Sequence, residues 1–259
     1  NVSTGIHSFI GGGLDNTIYS EKCVIAGGAS NQAIGSHSAI LGGSSNVVSG
    51  RQCVVLGGNG NLARGFASMV GAGATNQATG DWDFIGAGRS NKVFDHESSV
   101  VGGNTNEVDE QLCFIAGGSV NRIFTTPLGL GRSSILGGRS NQLSEDFAVI
   151  IGGDGNLASG YSCVVLGGLN NVSSGQYTST MGVKCEAFQN GAVMFGDSTD
   201  NVKRSYGQDS ITLNYSGGAW ITGGGVNARR GFNLYPTGDT PTASVGGRSG
   251  DFAYKDDYL

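Results

Sequence analysis

Three histidines, His7, His37 and His96, are the side chains best suited to proton transfer near neutral pH. They are scattered, and none has a nucleophile, second base or metal ligand at a fixed spacing, so surface positions are expected for them. Five cysteines occur, Cys23, Cys53, Cys113, Cys163 and Cys185. Their number is odd and no Cys-x-x-Cys pair is present, which argues against a zinc site and against a complete disulfide framework. Buried free cysteine, acting as a small apolar residue, is the expectation. The strings Gly57–Asn61 and Gly152–Asn156 look like calcium-binding β-roll sequences, but calcium needs several carboxylate or carbonyl oxygens and acids do not recur here. Gly-x-Gly strings cradle phosphate only where a strand runs into a helix, and no helix is credible in this sequence. No cofactor and no metal are therefore expected, and no Ser-His-Asp set or pair of acids across a cleft supports an enzyme. A solenoid glycan depolymerase would need such a pair.

Two places suit binding rather than catalysis. Trp82 lies between Asp81 and Asp83, with Phe94 and His96 one repeat further on. Aromatic faces beside carboxylates can stack on and hydrogen-bond to a sugar; local packing over the neighbouring coil is the competing reading. The second place is an insertion of five residues within Phe124–Arg132, including Phe124, Thr125, Thr126, Pro127 and Leu128. Insertions into repeat proteins map to surface loops and often carry binding; a tolerated bulge is the alternative.

These residues are positioned by a repeat. Asn16, Asn31, Asn46, Asn61, Asn76, Asn91, Asn106 and Asn121 are fifteen apart, and after one interval of twenty the series resumes at Asn141, Asn156 and Asn171. Gly stands three residues before each of these Asn residues, and Ile or Val stands six before. Eight before comes a small residue such as Ser38, Cys53 or Ala148, with Asp83 as the exception. Fifteen residues cannot hold two helices and their turns. Two short β-strands bounded by glycine turns fit instead. Strand A (for example 38–41) and strand B (46–49) would form one coil of a parallel β-solenoid. Eleven or twelve coils stacked ~4.8 Å apart give a rod on the order of 50–60 Å long. The Asn column either forms a ladder of side-chain hydrogen bonds or supplies a left-handed turn residue. Both roles are structural.

The whole-chain composition agrees. Of 259 residues, 48 are Gly and 3 are Pro, a balance that excludes collagen. A net charge of -5 argues against nucleic acid. No run of eighteen apolar residues is present for membrane insertion. Asn1–Gly5 shows neither the basic start nor the apolar core of a secretory leader. Domain expectations are a β-roll at 1–197, with the last one or two of twelve Asn-phased coils degenerate, and a small β-rich C-terminal cap or neck at 198–259. Short strands are expected there at 210–215, 219–222 and 231–235.

Strand B alternates inward apolar with outward polar residues, as a half-exposed strand does. Strand A is apolar on both faces. Val54, Met69, Phe84, Phe114, Val149 and Val164 precede its inward column, and Leu56, Leu136 and Leu166 follow it. A strand apolar on both faces is buried on both faces, so these residues are expected to form a homo-oligomer interface about a common axis. Spacing alone gives no number of subunits.

The stretch Asn31–Gly43, NQAIGSHSAILGG, resembles the head repeats of trimeric autotransporter adhesins of the YadA type, with one extra residue at Gly-Gly. The likeness covers 1–175 well and 176–197 loosely. It implies a left-handed β-roll, a homotrimer, and a structural protein of cell or virion surfaces. Such repeats also occur in phage tail fibres, and Phe232–Leu259 looks like a fibre end. Unpaired cysteines are a hazard in an oxidising periplasm and harmless in a reducing cytoplasm. They favour a virion tail fibre over an adhesin head at a bacterial surface. The partners implied are the chain itself, other fibre or tail proteins, and a glycan or protein receptor.

Overall fold

The computed structural model describes residues 1–124, 131–199, 201–205 and 207–216. Within them the chain is all-β. Two parallel sheets of fourteen strands each stack rung upon rung. The B-sheet runs from Val2–Ser3 through Val47–Val48 to Lys203–Arg204, and the A-sheet from Phe9–Ile10 through Ala39–Ile40 to Ile211–Asn214. Most strands are only two residues long, shorter than the four-residue segments expected. Each coil contributes one strand to each sheet, and paired residues are one repeat apart, as in Val47 with Leu62 and Ala39 with Val54. At ~4.8 Å per rung the stack is roughly 60 Å long.

A thin core lies between the sheets. Ile25, Ile40, Val55, Val70 and Ile85 from the A-sheet and Ile18, Val48, Ala63 and Val93 from the B-sheet are fully buried. The short strands bury little apolar area per rung, so the corners must hold the coil closed. The Asn column does this. Asn76 Nδ2 donates to the carbonyls of Ala72 (3.0 Å), Gly88 (3.0 Å) and Asn61 Oδ1 (3.2 Å), while Asn76 Oδ1 accepts the amide of Asn91 at 3.0 Å. The ladder reading is thus the correct one, with backbone carbonyls as its main acceptors. The left-handed turn residue is a neighbour: φ is positive at the residue before each Asn, as in Ser45, Thr75 and Ser90.

Glycine three before the Asn is dictated by the same corner. Gly73 has φ +97, and a Cβ there would stand 2.0 Å from the Gly88 carbonyl oxygen and 2.8 Å from Asn76 Nδ2. No side chain fits.

The insertion after Phe124 does not break the stack. Arg122 pairs with Gln142, and the Asn141 amide reaches Asn121 Oδ1 at 3.1 Å. Most of the insertion, 125–130, lies outside the described residues, between the strands Arg122–Ile123 and Ser134–Ile135. The ladders also run on past residue 197. The step shortens to fourteen residues between Val172 and Glu186 and lengthens to eighteen between Glu186 and Arg204. Cys185 and then Lys203 occupy the Asn column. Cys185 accepts the ladder by donating its amide to Asn171 Oδ1 at 2.9 Å. Lys203 is 3 % exposed, and its Nζ donates to the carbonyls of Val183, Thr199 and Asn201 and pairs with Asp197 at 3.3 Å. Of these carbonyls, that of Thr199, four residues back, is the counterpart of one that an asparagine amide serves elsewhere, as Ala72 is for Asn76. The strand expected at 210–215 is Ile211–Asn214, paired in register with Val193–Gly196 as part of the solenoid rather than of a separate cap. The strands expected at 219–222 and 231–235, and the fibre-like Phe232–Leu259, lie outside the described residues.

Candidate functional site

The residues that could do chemistry are placed apart from one another. His7 and His37 sit at the left-handed position of the corner leading into strand A, with φ 56 and 61. Cys23, Cys53, Cys113 and Cys163 occupy the small column just before strand A, never in adjacent rungs, and all five cysteines are free and buried. Two rungs put Cα atoms ~9.6 Å apart, beyond the ~7 Å limit for a disulfide. Burial pushes the Cys113 thiol up to about 11. Among the described residues no group of three or more His, Cys, Asp or Glu could hold a metal ion. Asp154, in the calcium-like string, is bound instead by Arg139 at 2.6 Å. No helix among them is long and apolar enough to cross a membrane.

The most extensive feature is the outer face of the A-sheet. Two columns point outward from it, one just before and one just after the buried Ile/Val column. Across all fourteen rungs neither column contains a charged residue. In the first lie Val54, Met69, Phe84, Val149 and Val164, half-buried, and Phe114, 38 % exposed. In the second lie Leu56, Leu136 and Leu166, exposed by 43 %, 49 % and 39 %. Leu41, Val101, Ile151 and Met181 extend the stripe.

The two columns compensate each other. Nine rungs set a large apolar residue in one column against Gly, Ala or Ser in the other: Phe9/Gly11, Val24/Ala26, Ala39/Leu41, Met69/Gly71, Phe84/Gly86, Ser99/Val101, Phe114/Ala116, Ser134/Leu136 and Ser179/Met181. The rings lean over the glycines. A side chain on Gly11 or Gly86 would meet the ring of Phe9 or Phe84 at 3.3 or 3.5 Å. Exposed residues have no reason to trade volume in this way. In the other five rungs, such as Val54/Leu56 and Ile211/Leu213, both positions are large and apolar.

The outer face of the B-sheet differs in kind. Lys92, Glu107 and Arg122 stand in successive rungs, with Arg122 3.0 Å from Glu107 and 2.8 Å from Asp109. Arg122 also covers the Phe124 ring at 4.9 Å, and Lys92 approaches Phe94 at 5.9 Å. Such exposed pairs contribute little stability each. They make this the solvated side.

Of the candidate receptor contacts, Trp82 is 58 % exposed at a corner with φ 62. Its ring meets Phe66 edge-to-face, with centroids 5.1 Å apart, a partner not evident from the sequence. His96 accepts the Asp81 amide on Nδ1 at 3.2 Å and stands 3.7 Å from Asp95. Phe94 is exposed at the end of a B-sheet strand, and its recorded neighbour is Lys92 rather than Trp82. Thr125, Thr126, Pro127 and Leu128 lie outside the described residues. A second aromatic run on the same kind of corner also escaped sequence reading: Phe147, Tyr161 and Tyr177 stack edge-to-face at 5.5 and 5.8 Å. Their fifteen-residue spacing, blurred by one residue, was the available signal.

No protein-family model matches this chain, and no curated protein matches it.

Proposed function

We propose that this chain is a structural, fibre-forming protein that works as a homotrimeric rod rather than as an enzyme. The uncharged, volume-compensated outer face of the A-sheet carries the reading. In a parallel assembly about a common axis each residue near that axis meets its own copies. A charge there would face like charges, whereas Leu, Val, Phe and Ser would not. The number three and a left-handed coil rest on the resemblance to adhesin head repeats. The setting we favour is a segment of a phage or viral tail fibre, located in the virion and contacting other fibre or tail proteins. Five buried thiols with no disulfide support assembly in a reducing compartment. The alternative is the head of a trimeric autotransporter adhesin at a bacterial surface, for which the repeat motif itself is the support. In either setting the Trp82–Phe66 corner and the insertion after Phe124 are the places for contact with a glycan or protein receptor. Sedimentation equilibrium of the purified chain tests the assembly: three chain masses are expected, and a monomer at micromolar concentration would overturn the reading.

A further inference from the structure

The residue at Asp83 breaks a rule of its column. In the flanking coils the column residue is a hydroxyl that donates to the carbonyl twelve residues on. Ser68 Oγ donates to the Gly80 carbonyl at 2.6 Å, and Ser98 Oγ donates to the Glu110 carbonyl at 2.6 Å. Ser38 donates likewise to Gly50 at 3.0 Å, and its oxygen accepts the Cys53 amide at 3.1 Å. Asp83 is 1 % exposed and accepts twice, from Gly80 N at 2.7 Å and Ser98 N at 3.3 Å. The carbonyl twelve residues on, which a hydroxyl would serve, belongs to Asp95. A Cβ built on Gly80 would lie 2.7 Å from that oxygen and 2.8 Å from Asp83 Oδ2, so both acceptors border the Gly80 corner. An ionised carboxylate has no proton to place between them; a carboxylic acid has one.

The corner above this site is strained. Trp82 holds φ 62, a region unfavourable for a bulky side chain. It is tied down by its amide bond to the Phe66 carbonyl (2.8 Å), by the Phe66 ring and by Asp83 next in the chain. We propose that Asp83 is a proton-operated latch for this corner: as the acid it completes the hydroxyl column and holds Trp82 against Phe66, and as the carboxylate it releases the corner.

Charged groups around it come from two sides. His96 and Asp95 face it from the next rung, and Asp81 belongs to its own corner. The previous rung offers Phe66, Ala67 and Ser68, none of them ionisable in this range. Burial dominates and pushes the Asp83 carboxyl up to about 7; the amides of Ser98 and Gly80 and the nearby His96 oppose it, and Asp95 adds to it. The latch therefore switches near neutral pH.

The chain has two tryptophans, so Trp220→Phe leaves Trp82 as sole reporter. In that background Trp82 emission should shift to longer wavelength, and acrylamide quenching should rise, as pH increases through about 7. Adding Asp83→Ser, which installs the residue of the neighbouring rungs, should abolish the transition and leave emission at its low-pH position throughout. His96 is the imidazole that faces Asp83 from the next rung, so His96→Gln is the decisive control and should retain the transition. Loss of the transition in His96→Gln, or its persistence in Asp83→Ser, overturns the proposal.

Discussion

Asn76 shows how much of this fold is set by single side chains. Its carboxamide bonds two carbonyls and a neighbouring asparagine and accepts an amide, all in a fully buried corner. Asn76→Ala would leave those groups without partners. At 1–3 kcal/mol for an unsatisfied buried group, the expected loss is roughly 3 kcal/mol, read as a lowered denaturation midpoint; Gln77→Ala on the B-sheet surface should change stability by less than about 0.5 kcal/mol. The buried thiols fill the small column and donate as its serines do, Cys23 Sγ to the Gly35 carbonyl at 3.1 Å and Cys53 Sγ to the Gly65 carbonyl at 2.8 Å. Because Cys113 is pushed up to about 11, almost no thiolate exists at pH 8. A thiol-specific reagent should label none of the four column cysteines until the chain is unfolded. Cys53→Ser, which copies Ser38 and Ser68, should fold normally. At Asp83 the sign is set by burial, which raises the carboxyl from its ordinary 3.8 to about 7 in the folded chain. The acid form is the one the fold prefers, so its contribution is full below about pH 4 and is lost as pH rises to 7. Asp83→Ser should therefore be stabilising relative to the parent at pH 8, by a margin that shrinks as pH is lowered towards 4.

At the scale of the elements, each strand is too short to be stable alone, and each derives its stability from the rungs above and below. The two sheets share a core yet differ on their outer faces. The A-sheet presents two uncharged columns of compensating size; the B-sheet presents Lys92, Glu107 and Arg122 with their counter-charges. The difference predicts an asymmetry between two charge insertions. Leu136→Lys on the A-sheet should lower the sedimentation mass of the proposed oligomer, whereas Gln142→Lys on the B-sheet should leave it unchanged. Equal effects would locate the assembly surface elsewhere. Strand placement was largely legible in the sequence because Ile or Val and Gly recur at fixed distances from each Asn. The strand B positions of the last two rungs were not, because the ladder there is carried by Cys185 and Lys203 and the step changes to fourteen and then eighteen residues. A lysine ammonium takes over one of the carbonyls an asparagine serves, and no periodicity search connects the two residue types.

At the largest scale, the described residues form a one-dimensional stack, in which each coil meets only its neighbours. Removing one full period should therefore shorten it without unfolding it. Deletion of residues 32–46 joins Asn31 to Val47 in phase, and the product should fold and be shorter by ~4.8 Å; a deletion of seven residues at the same place should abolish cooperative folding. Small-angle scattering and thermal denaturation would read the two outcomes. The sequence by itself determined the period, the inward columns, the asparagine column and the apolar character of both faces of strand A, because a stack repeats its physical demands at every rung and the residues repeat with them. The tertiary structure decided what repetition does not encode. It placed the left-handed turn on the residue before each Asn, set the Trp82 ring against Phe66, and put Asp83 where its neighbours carry hydroxyls. It also carried the ladders past residue 197. These depend on which atoms of adjacent coils meet across a corner, and that is fixed only once the coils are closed and stacked.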